Sequence, residues 1–138
     1  MSKDVDAKIR RVLDANFNRV KEGLRVCEDV CRFVYDDRRL ARVFKETRHT
    51  VTALMGRFSR SRMIDSRDVA GDVGRGSTPS EMARRNVEDI LFANLQRAKE
   101  SIRVLEEFAK LSSKSAALGF KQARYRLYRA EQALMRKF

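Results

Sequence analysis

The sequence has few residues of four types, and two of these types, histidine and cysteine, are the usual ligands of metal sites. Its 138 residues include no tryptophan, one proline, one histidine and two cysteines. A structural zinc site needs four ligands, and His49 lies well apart in the chain from Cys27 and Cys31. Zinc is therefore not expected, and we interpret the two cysteines, four residues apart on one helical stripe, as small buried thiols.

Long apolar runs are also missing. No stretch approaches the roughly 20 apolar residues that a membrane-spanning helix needs, and the chain begins with the polar, acidic sequence Met-Ser-Lys-Asp-Val-Asp. A secretory signal would have a basic start followed by an apolar stretch. The sequence therefore predicts no membrane partner and a cytoplasmic location.

Positive charge is the most unbalanced property of the sequence. Lys and Arg number 31 against 19 Asp and Glu, which gives a formal net charge of +12. Such a surface attracts nucleic acid, a phosphorylated metabolite or an anionic membrane. Basic residues are interleaved with acidic ones, and no basic run is accompanied by aromatics, which argues against a recognition element for nucleic acid. A non-catalytic basic helical module that binds nucleic acid or a protein partner stays open as the alternative function.

One segment occurs twice and organises the rest of the chain. The pattern Asn-x-x-Arg-x-Lys-Glu-x-x-Arg-Val-x-Glu begins at Asn16 and returns at Asn94. A second pattern, Phe-Lys-(Glu/Gln)-x-Arg, begins at Phe44 and returns at Phe120, with the turn between the two patterns two residues shorter in the second copy. An internal repeat decides architecture before other signals do. The predicted fold is all-α: a duplicated helical hairpin that forms an antiparallel four-helix bundle, with a Gly-rich loop between the halves.

Helical periodicity and capping signals give the expected boundaries. Four helices are expected at about 4–35, 37–60, 79–111 and 115–137. The single domain, 1–138, then consists of a first hairpin at 4–60, a loop at 61–78 and a second hairpin at 79–138. The sharpest predicted helix start is at Thr78, because Pro79 suits the first helical position and Glu81 completes a capping box.

The inter-hairpin loop, residues 61–78, carries the clearest chemistry. Its glycines, including Gly71 and Gly74, make the backbone pliable, and it runs into the helix capped by Thr78, where free N–H groups favour an anion. Asp68 and Asp72 are candidate ligands for Mg²⁺, which prefers one or two carboxylates with phosphate oxygens and water. The loop matches neither the P-loop nor the dinucleotide-binding pattern. A mobile linker between the duplicates stays open beside the phosphate site.

Two interpretations also stay open for the polar residues that the repeat shares. Asn16 and Asn94 interrupt the apolar stripes, so each either fixes helix register or binds a ligand at the pseudo-twofold interface. The Glu–Arg pairs three residues apart are either surface ion pairs or the lining of a groove. These pairs are Glu22–Arg25 and Glu100–Arg103.

A second, weaker apolar stripe predicts an additional contact surface. Val26 and Phe33 form it in the first copy, and Val104 and Leu111 form it in the second. A helix that is apolar on two sides usually has two neighbours. The sequence therefore predicts a homodimer.

These motifs, in this order, resemble the small helical family often fused ahead of thiamine-phosphate synthase domains and described as monofunctional hydroxymethylpyrimidine phosphate kinases. The resemblance begins with Asp-Ala-Asn-Phe-Asn-Arg at 14–19 and covers nearly the whole chain. Further matching segments lie at 22–26, 28–29, 67–68, 71–74, 77–81, 106–107 and 124–128, with Asn94, Arg97, Glu100 and Arg103. The chain has no synthase domain up to Phe138, so thiamine-phosphate synthase is expected as a possible partner on a separate chain.

The resemblance implies an ATP-dependent kinase that converts hydroxymethylpyrimidine phosphate to its diphosphate in thiamine biosynthesis, with ATP and Mg²⁺ and without zinc or haem. Such a reaction requires two phosphates to be positioned and their charge neutralised. We accordingly assign phosphate binding to Arg67, Gly71, Gly74 and Thr78. Catalysis and magnesium are assigned to Asp68 and Asp72. Substrate binding is assigned to Asn16, Arg19, Glu22, Arg25, Asn94, Arg97, Glu100 and Arg103.

Overall fold

A computed structural model describes the backbone of residues 3–138 and the side chains of residues 6–138. Every regular element in this part of the chain is helical, which confirms the all-α prediction. The elements are α1 (Lys3–Asp29), a π-helical turn (Val30–Val34), α2 (Arg38–Met55), α3 (Arg60–Asp65), α4 (Pro79–Met82), α5 (Val87–Ala109) and α6 (Lys114–Met135). None of the described helices combines the length and apolarity required to cross a bilayer.

The four long helices enclose the apolar core. α1 packs against α2 and α5, and α6 packs against the same two helices from the other side. Side chains at helical spacing point inward from each helix, and Leu24, Phe44, Ile102 and Phe120 are completely buried. Burying apolar area of this kind is the main stabilising term in folding. The apolar stripes of the sequence thus correspond to the helix faces that meet in the core.

A close approach fixes α1 against α5. Gly23 faces α5, and a Cβ atom at position 23 would lie only 2.9 Å from the carbonyl oxygen of Asn94. Four residues further on, the Cys27 thiol lies 3.7 Å from the carbonyl oxygen of Leu91. Because the contacts run in opposite directions along the two helices, α1 and α5 are antiparallel.

The two copies of the repeat contain the same buried ion pair. Arg48 Nη2 of α2 lies 3.0 Å from Glu28 Oε1 of α1. At the equivalent positions of the second copy, Arg124 Nη2 of α6 lies 2.9 Å from Glu106 Oε2 of α5. Each pair joins the two helices of one hairpin, and all four side chains are at most 12 % exposed.

The helix expected at 79–111 starts later than predicted. Thr78 accepts a hydrogen bond from Glu81 N as predicted for a cap, but the helix that it starts ends after one turn at Met82. The chain is extended at Ala83, and α5 begins only at Val87, where Asn86 caps it. The helix is short because residues 79–86 are all exposed, and a short helix needs core contacts to be stable.

The other boundaries differ for local reasons. The helix expected at 37–60 ends at Met55, and residues 60–65, which were expected to lie largely in the loop, form α3 instead. Ser59 caps α3, and the completely buried side chain of Met63 anchors it to the core. The helix expected at 4–35 widens at its end, where Tyr35 N donates to Val30 O, a five-residue spacing typical of a π-helical turn.

Candidate active site

A cleft of about 1130 Å³ lies between the first half of α1 and the segment that follows α3. We call it the α1 cleft. Its polar lining comprises Lys8, Arg11, Asp14, Asn16, Asn18, Arg19 and Glu22 from α1, and Arg67, Asp68 and Asp72 from the inter-hairpin loop. Val104 of α5 closes one side. The cleft thus joins the first-copy polar residues to the charged part of the loop, with basic and acidic side chains in equal number.

The strongest contact in the α1 cleft holds the loop against α1. Arg67 donates from Nε and from Nη2 to the two carboxylate oxygens of Asp14, both at 2.7 Å. These hydrogen bonds, together with the charge of Asp14, raise the pKa of the Arg67 guanidinium, which is charged at any physiological pH. A guanidinium has five N–H groups, so Nη1 of Arg67 remains available to an anion in the cleft.

Asn16 holds Arg19 at the wall of the cleft. Asn16 is buried, and its Nδ2 donates to Val12 O at 2.9 Å within the same helix. Its Oδ1 accepts a hydrogen bond of 3.3 Å from Arg19 Nη1. Because neither bond reaches another helix, Asn16 does not fix the register between helices. The arrangement instead orients an exposed arginine at the cleft.

Asp68 and Asp72 belong to two short hydrogen-bonded turns. Asp68 Oδ1 accepts from Gly71 N at 2.8 Å, and Asp72 Oδ1 accepts from Gly74 N at 3.0 Å. In each carboxylate the second oxygen is left for another partner. This donor set fits Mg²⁺, which is commonly bound by one or two carboxylates with phosphate oxygens and water. No group of three or more His, Cys, Asp or Glu with metal-site geometry occurs among the residues that the structure describes.

The second-copy residues proposed for substrate binding lie apart from the α1 cleft. Asn94, Arg97, Glu100 and Arg103 do not line it, so one pocket shared by both copies is not formed there. Asn94 is only half-buried and repeats the hydrogen bond of Asn16 to its own helix, with Nδ2 2.8 Å from Ile90 O. The reason for the asymmetry is the loop, which packs against α1 through Arg67 and leaves α5 uncovered at the equivalent place.

The surroundings of the other assigned residues that fall outside the lining are as follows. Arg25 is exposed on α1, and Glu100 accepts from Gln96 on the surface of α5. Gly71 and Gly74 supply the N–H groups that orient Asp68 and Asp72 without lining the cleft themselves. Thr78 caps α4 and does not line the cleft.

Sequence reasoning did not assign a role to Asp14. Asp14 is 5 % exposed between the core residues Leu13 and Phe17. A buried carboxylate needs a partner with opposite charge or hydrogen-bond donors, and this requirement could have pointed to an arginine in the inter-hairpin loop. Lys8 and Arg11 were missed for a different reason, because basic residues near the start of an amphipathic helix carry no distinctive pattern.

The cysteines take no part in this chemistry. Burial raises the pKa of Cys31 to about 11, with a smaller contribution from the charge of Asp37. Burial also raises the pKa of Cys27, and the neighbouring Cys31 adds to the effect. Since the thiolate is the reactive form, both cysteines are inert core residues, which agrees with their interpretation as buried thiols.

Comparisons with known proteins relate the sequence to one family and to a set of thiamine-phosphate synthases. The profile of the ThiD2 family matches residues 11–133. The chain is 38 % identical over 121 residues to a thiamine-phosphate synthase of Rhodopirellula baltica, which covers 87 % of this chain and 32 % of that protein. It is 40 % identical over 128 residues to the thiamine-phosphate synthase of Synechocystis sp., covering 92 % of this chain and 36 % of the relative.

The similarity to these relatives extends over one part of each. A thiamine-phosphate synthase of Thermosynechococcus vestitus is 39 % identical over 128 residues, which are 92 % of this chain and 35 % of that protein. The chain therefore spans about a third of the length of the curated relatives it matches. No solved structure shows significant similarity to the chain.

Proposed function

The chain belongs to the ThiD2 family, and on that premise we propose that it is a kinase that transfers the γ-phosphoryl group of ATP to hydroxymethylpyrimidine phosphate. The product is the diphosphate used in thiamine biosynthesis. The relatives named thiamine-phosphate synthase support the pathway. The observation that carries the reaction type is the α1 cleft, where Arg67 and two loop carboxylates face Arg19 across one cavity.

The reaction requires that the two phosphate groups be positioned next to each other and that their negative charge be neutralised. An oxygen of the substrate phosphate attacks the γ-phosphorus of ATP, a new P–O bond forms, and the bond to the β–γ bridging oxygen breaks so that ADP leaves with the electron pair. The second pKa of a phosphate monoester is about 6, so the attacking oxygen carries no proton at neutral pH. A site without a general base can therefore support this transfer, and the cations that hold the phosphates are its main requirement.

The residues of the α1 cleft divide into two groups under this proposal. Arg67 through Nη1, Arg19 and the nearby Lys8 and Arg11 would bind phosphate oxygens, since charge-assisted hydrogen bonds are the strong ones. Asp68 and Asp72 would hold the magnesium ion through their second carboxylate oxygens. When bound, Mg²⁺ would neutralise charge on the transferring phosphoryl group. Asn16 keeps Arg19 oriented at the wall of the cleft.

Three further expectations stay predictions. The buried pairs Glu28–Arg48 and Glu106–Arg124 support the proposal that the fold is a duplicated hairpin bundle. The exposed positions of Phe33 and Leu111 support a homodimer through this surface. A thiamine-phosphate synthase chain is the proposed functional partner, because the relatives that this chain matches over about a third of their length are named thiamine-phosphate synthase.

A coupled ATPase assay tests the proposed function. If the protein is the proposed kinase, ATP consumption should saturate with increasing hydroxymethylpyrimidine phosphate. It should require Mg²⁺ and should be absent without the pyrimidine phosphate. A nucleic-acid binding module would show no turnover, and its binding would weaken steeply with salt. Turnover that is independent of the pyrimidine phosphate would contradict the proposed substrate.

A further inference from the structure

A second cleft, separate from the α1 cleft, lies between the end of α5 and the first half of α6. We call it the α6 cleft; its volume is about 730 Å³. Its lining contains one carboxylate, that of Glu106, and five basic side chains. The basic side chains are Arg103, Lys110, Lys114, Lys121 and Arg124. Concave surfaces lined by one sign of charge concentrate ions of the opposite sign.

The charge of the single carboxylate is already balanced by two arginines of the same lining. Glu106 Oε2 accepts from Arg124 Nε at 3.2 Å and Nη2 at 2.9 Å, and from Arg103 Nη1 at 3.0 Å. Burial alone would lower the pKa of Arg124, but its hydrogen bonds to Tyr128 and Glu106 outweigh this and raise the pKa, so Arg124 remains charged. The lining therefore keeps an excess of positive charge toward the opening.

Two lysines of the lining are free to bind an anion. Lys110 shares Glu107 with Arg103. Lys114 and Lys121, in contrast, form no ion pair with any side chain of residues 6–138, and both are exposed. Grouping cations without counter-charges is unfavourable unless an anion binds between them.

The wall next to these lysines is apolar and aromatic. Tyr125 is 48 % exposed and Leu118 is 56 % exposed, one on each side of Lys121 along α6. Lys121 Nζ lies 6.0 Å from the centre of the Tyr125 ring, and Arg124 Cζ lies 5.4 Å from it. Exposed aromatic rings beside basic side chains are the combination that holds bases and phosphates together in nucleotide sites.

The first copy of the repeat provides an internal comparison. A cleft of about 510 Å³ occurs at the equivalent place and is lined by Glu28, Arg32, Asp36, Arg38, Ala41, Arg42 and Lys45. Lys45 corresponds to Lys121. Arg42 stands where the second copy has Leu118, and His49 stands where it has Tyr125. The first-copy cleft is therefore basic but lacks the apolar and aromatic wall.

We propose that the α6 cleft binds a small phosphorylated ligand that carries an aromatic ring, of the size of a nucleotide. Its phosphates would lie between Lys114 and Lys121, and its ring against Tyr125 and Leu118. The cleft volume falls within the range of roughly 300–1,000 Å³ that is usual for small-molecule sites. This site does not depend on the proposed kinase function, because it shares no lining residue with the α1 cleft.

Isothermal titration of the full chain with ADP and with inorganic tripolyphosphate tests the inference. EDTA in both titrations prevents magnesium-dependent binding at the α1 cleft from contributing. Lys121→Glu should weaken both ligands about tenfold, whereas the repeat-equivalent Lys45→Glu should change neither by more than about twofold. Tyr125→Ala should weaken ADP about tenfold, in keeping with the loss of one base–aromatic stack, and should leave tripolyphosphate nearly unchanged.

Three outcomes would overturn this inference. Equal weakening by Lys45→Glu and Lys121→Glu would show a diffuse attraction of anions to a basic surface. Equal affinity of wild type and Tyr125→Ala for ADP would remove the aromatic component, and absence of ADP binding would remove the site. Circular dichroism checks that each variant is folded, which is expected because Lys45, Lys121 and Tyr125 are all exposed. If the protein binds ADP as predicted here but shows no kinase turnover, only the proposed function is contradicted.

Discussion

Arg67 and Asp14 form a bidentate ion pair that joins the inter-hairpin loop to α1. Both oxygens of the Asp14 carboxylate accept hydrogen bonds of 2.7 Å from the Arg67 guanidinium, across 53 residues of sequence. The Asp14 side chain is 8 % exposed, so the anchor on the helix is held rigidly. Asp68 follows Arg67 directly, and the pair therefore determines where the loop carboxylates enter the α1 cleft.

Asp14→Asn should loosen the loop while leaving the helices folded. An amide cannot replace two charge-assisted hydrogen bonds to a guanidinium, so trypsin should cleave faster after Arg67 and Arg75. Limited proteolysis followed by mass spectrometry measures this rate. Asp89→Asn is the matched control, because it weakens the exposed Arg85–Asp89 pair outside the cleft. Equal cleavage rates in wild type and Asp14→Asn would show that the ion pair does not hold the loop.

The two buried ion pairs should each contribute strongly to stability. Glu106→Gln leaves the charge of Arg124 buried against a neutral partner, and Glu28→Gln does the same for Arg48. Removing one partner of a buried pair typically costs about 3 kcal/mol of unfolding free energy. Urea denaturation measures the change, and Glu107→Gln, which affects only exposed pairs, should have little effect. A negligible cost at both positions would contradict the importance of these pairs.

Two glycines on long helices should respond oppositely to alanine. At Gly23 a Cβ would press on the Asn94 carbonyl of the backbone, which cannot move without separating α1 from α5. Overpacking should exceed the gain in helix propensity, so Gly23→Ala should lower the unfolding free energy by about 1–2 kcal/mol. At Gly119 the obstacle is the flexible end of the Leu54 side chain, so Gly119→Ala should be neutral or stabilising. Thermal denaturation of both variants checks the prediction, and similar midpoints would contradict it.

Asp72→Asn should abolish turnover without changing stability. The amide oxygen can still accept the hydrogen bond from Gly74 N, but it binds Mg²⁺ more weakly than a carboxylate does. The coupled ATPase assay and a denaturation curve measure the two effects separately. Asp65→Asn serves as control, since Asp65 lies in the same segment but does not line the α1 cleft. Full activity of Asp72→Asn would reduce Asp72 to a turn residue.

The helical class and the buried faces could be predicted because they depend on periodicity. Cys27 and Cys31 lie in an apolar stripe of the sequence and are completely buried in the fold. The late start of α5 could not be predicted in the same way, because Thr78 and Pro79 form a genuine cap. Capping favours a helix start, but only core contacts extend a short helix, and these are absent from the exposed residues 79–86.

The α1 cleft could be predicted only in part. Asn16, Arg19, Asp68 and Asp72 were identified because they stand out in a repeat or in a Gly-rich loop. Their grouping, however, depends on which helix the loop covers. The loop lies on α1 because α3 packs against α1 and because Arg67 pairs with Asp14, a position at which the second copy has Phe92. The choice of Arg67 as the partner of Asp14 is a tertiary contact, which helical periodicity does not reveal.

The most direct test of the account is ³¹P NMR of a mixture of the protein, ATP, Mg²⁺ and hydroxymethylpyrimidine phosphate. The proposed kinase should convert the phosphomonoester resonance into two coupled diphosphate resonances, with one ADP formed for each product molecule. A phosphomonoester resonance that stays unchanged, whether ATP is intact or is hydrolysed to ADP and inorganic phosphate, would contradict the proposed phosphoryl transfer.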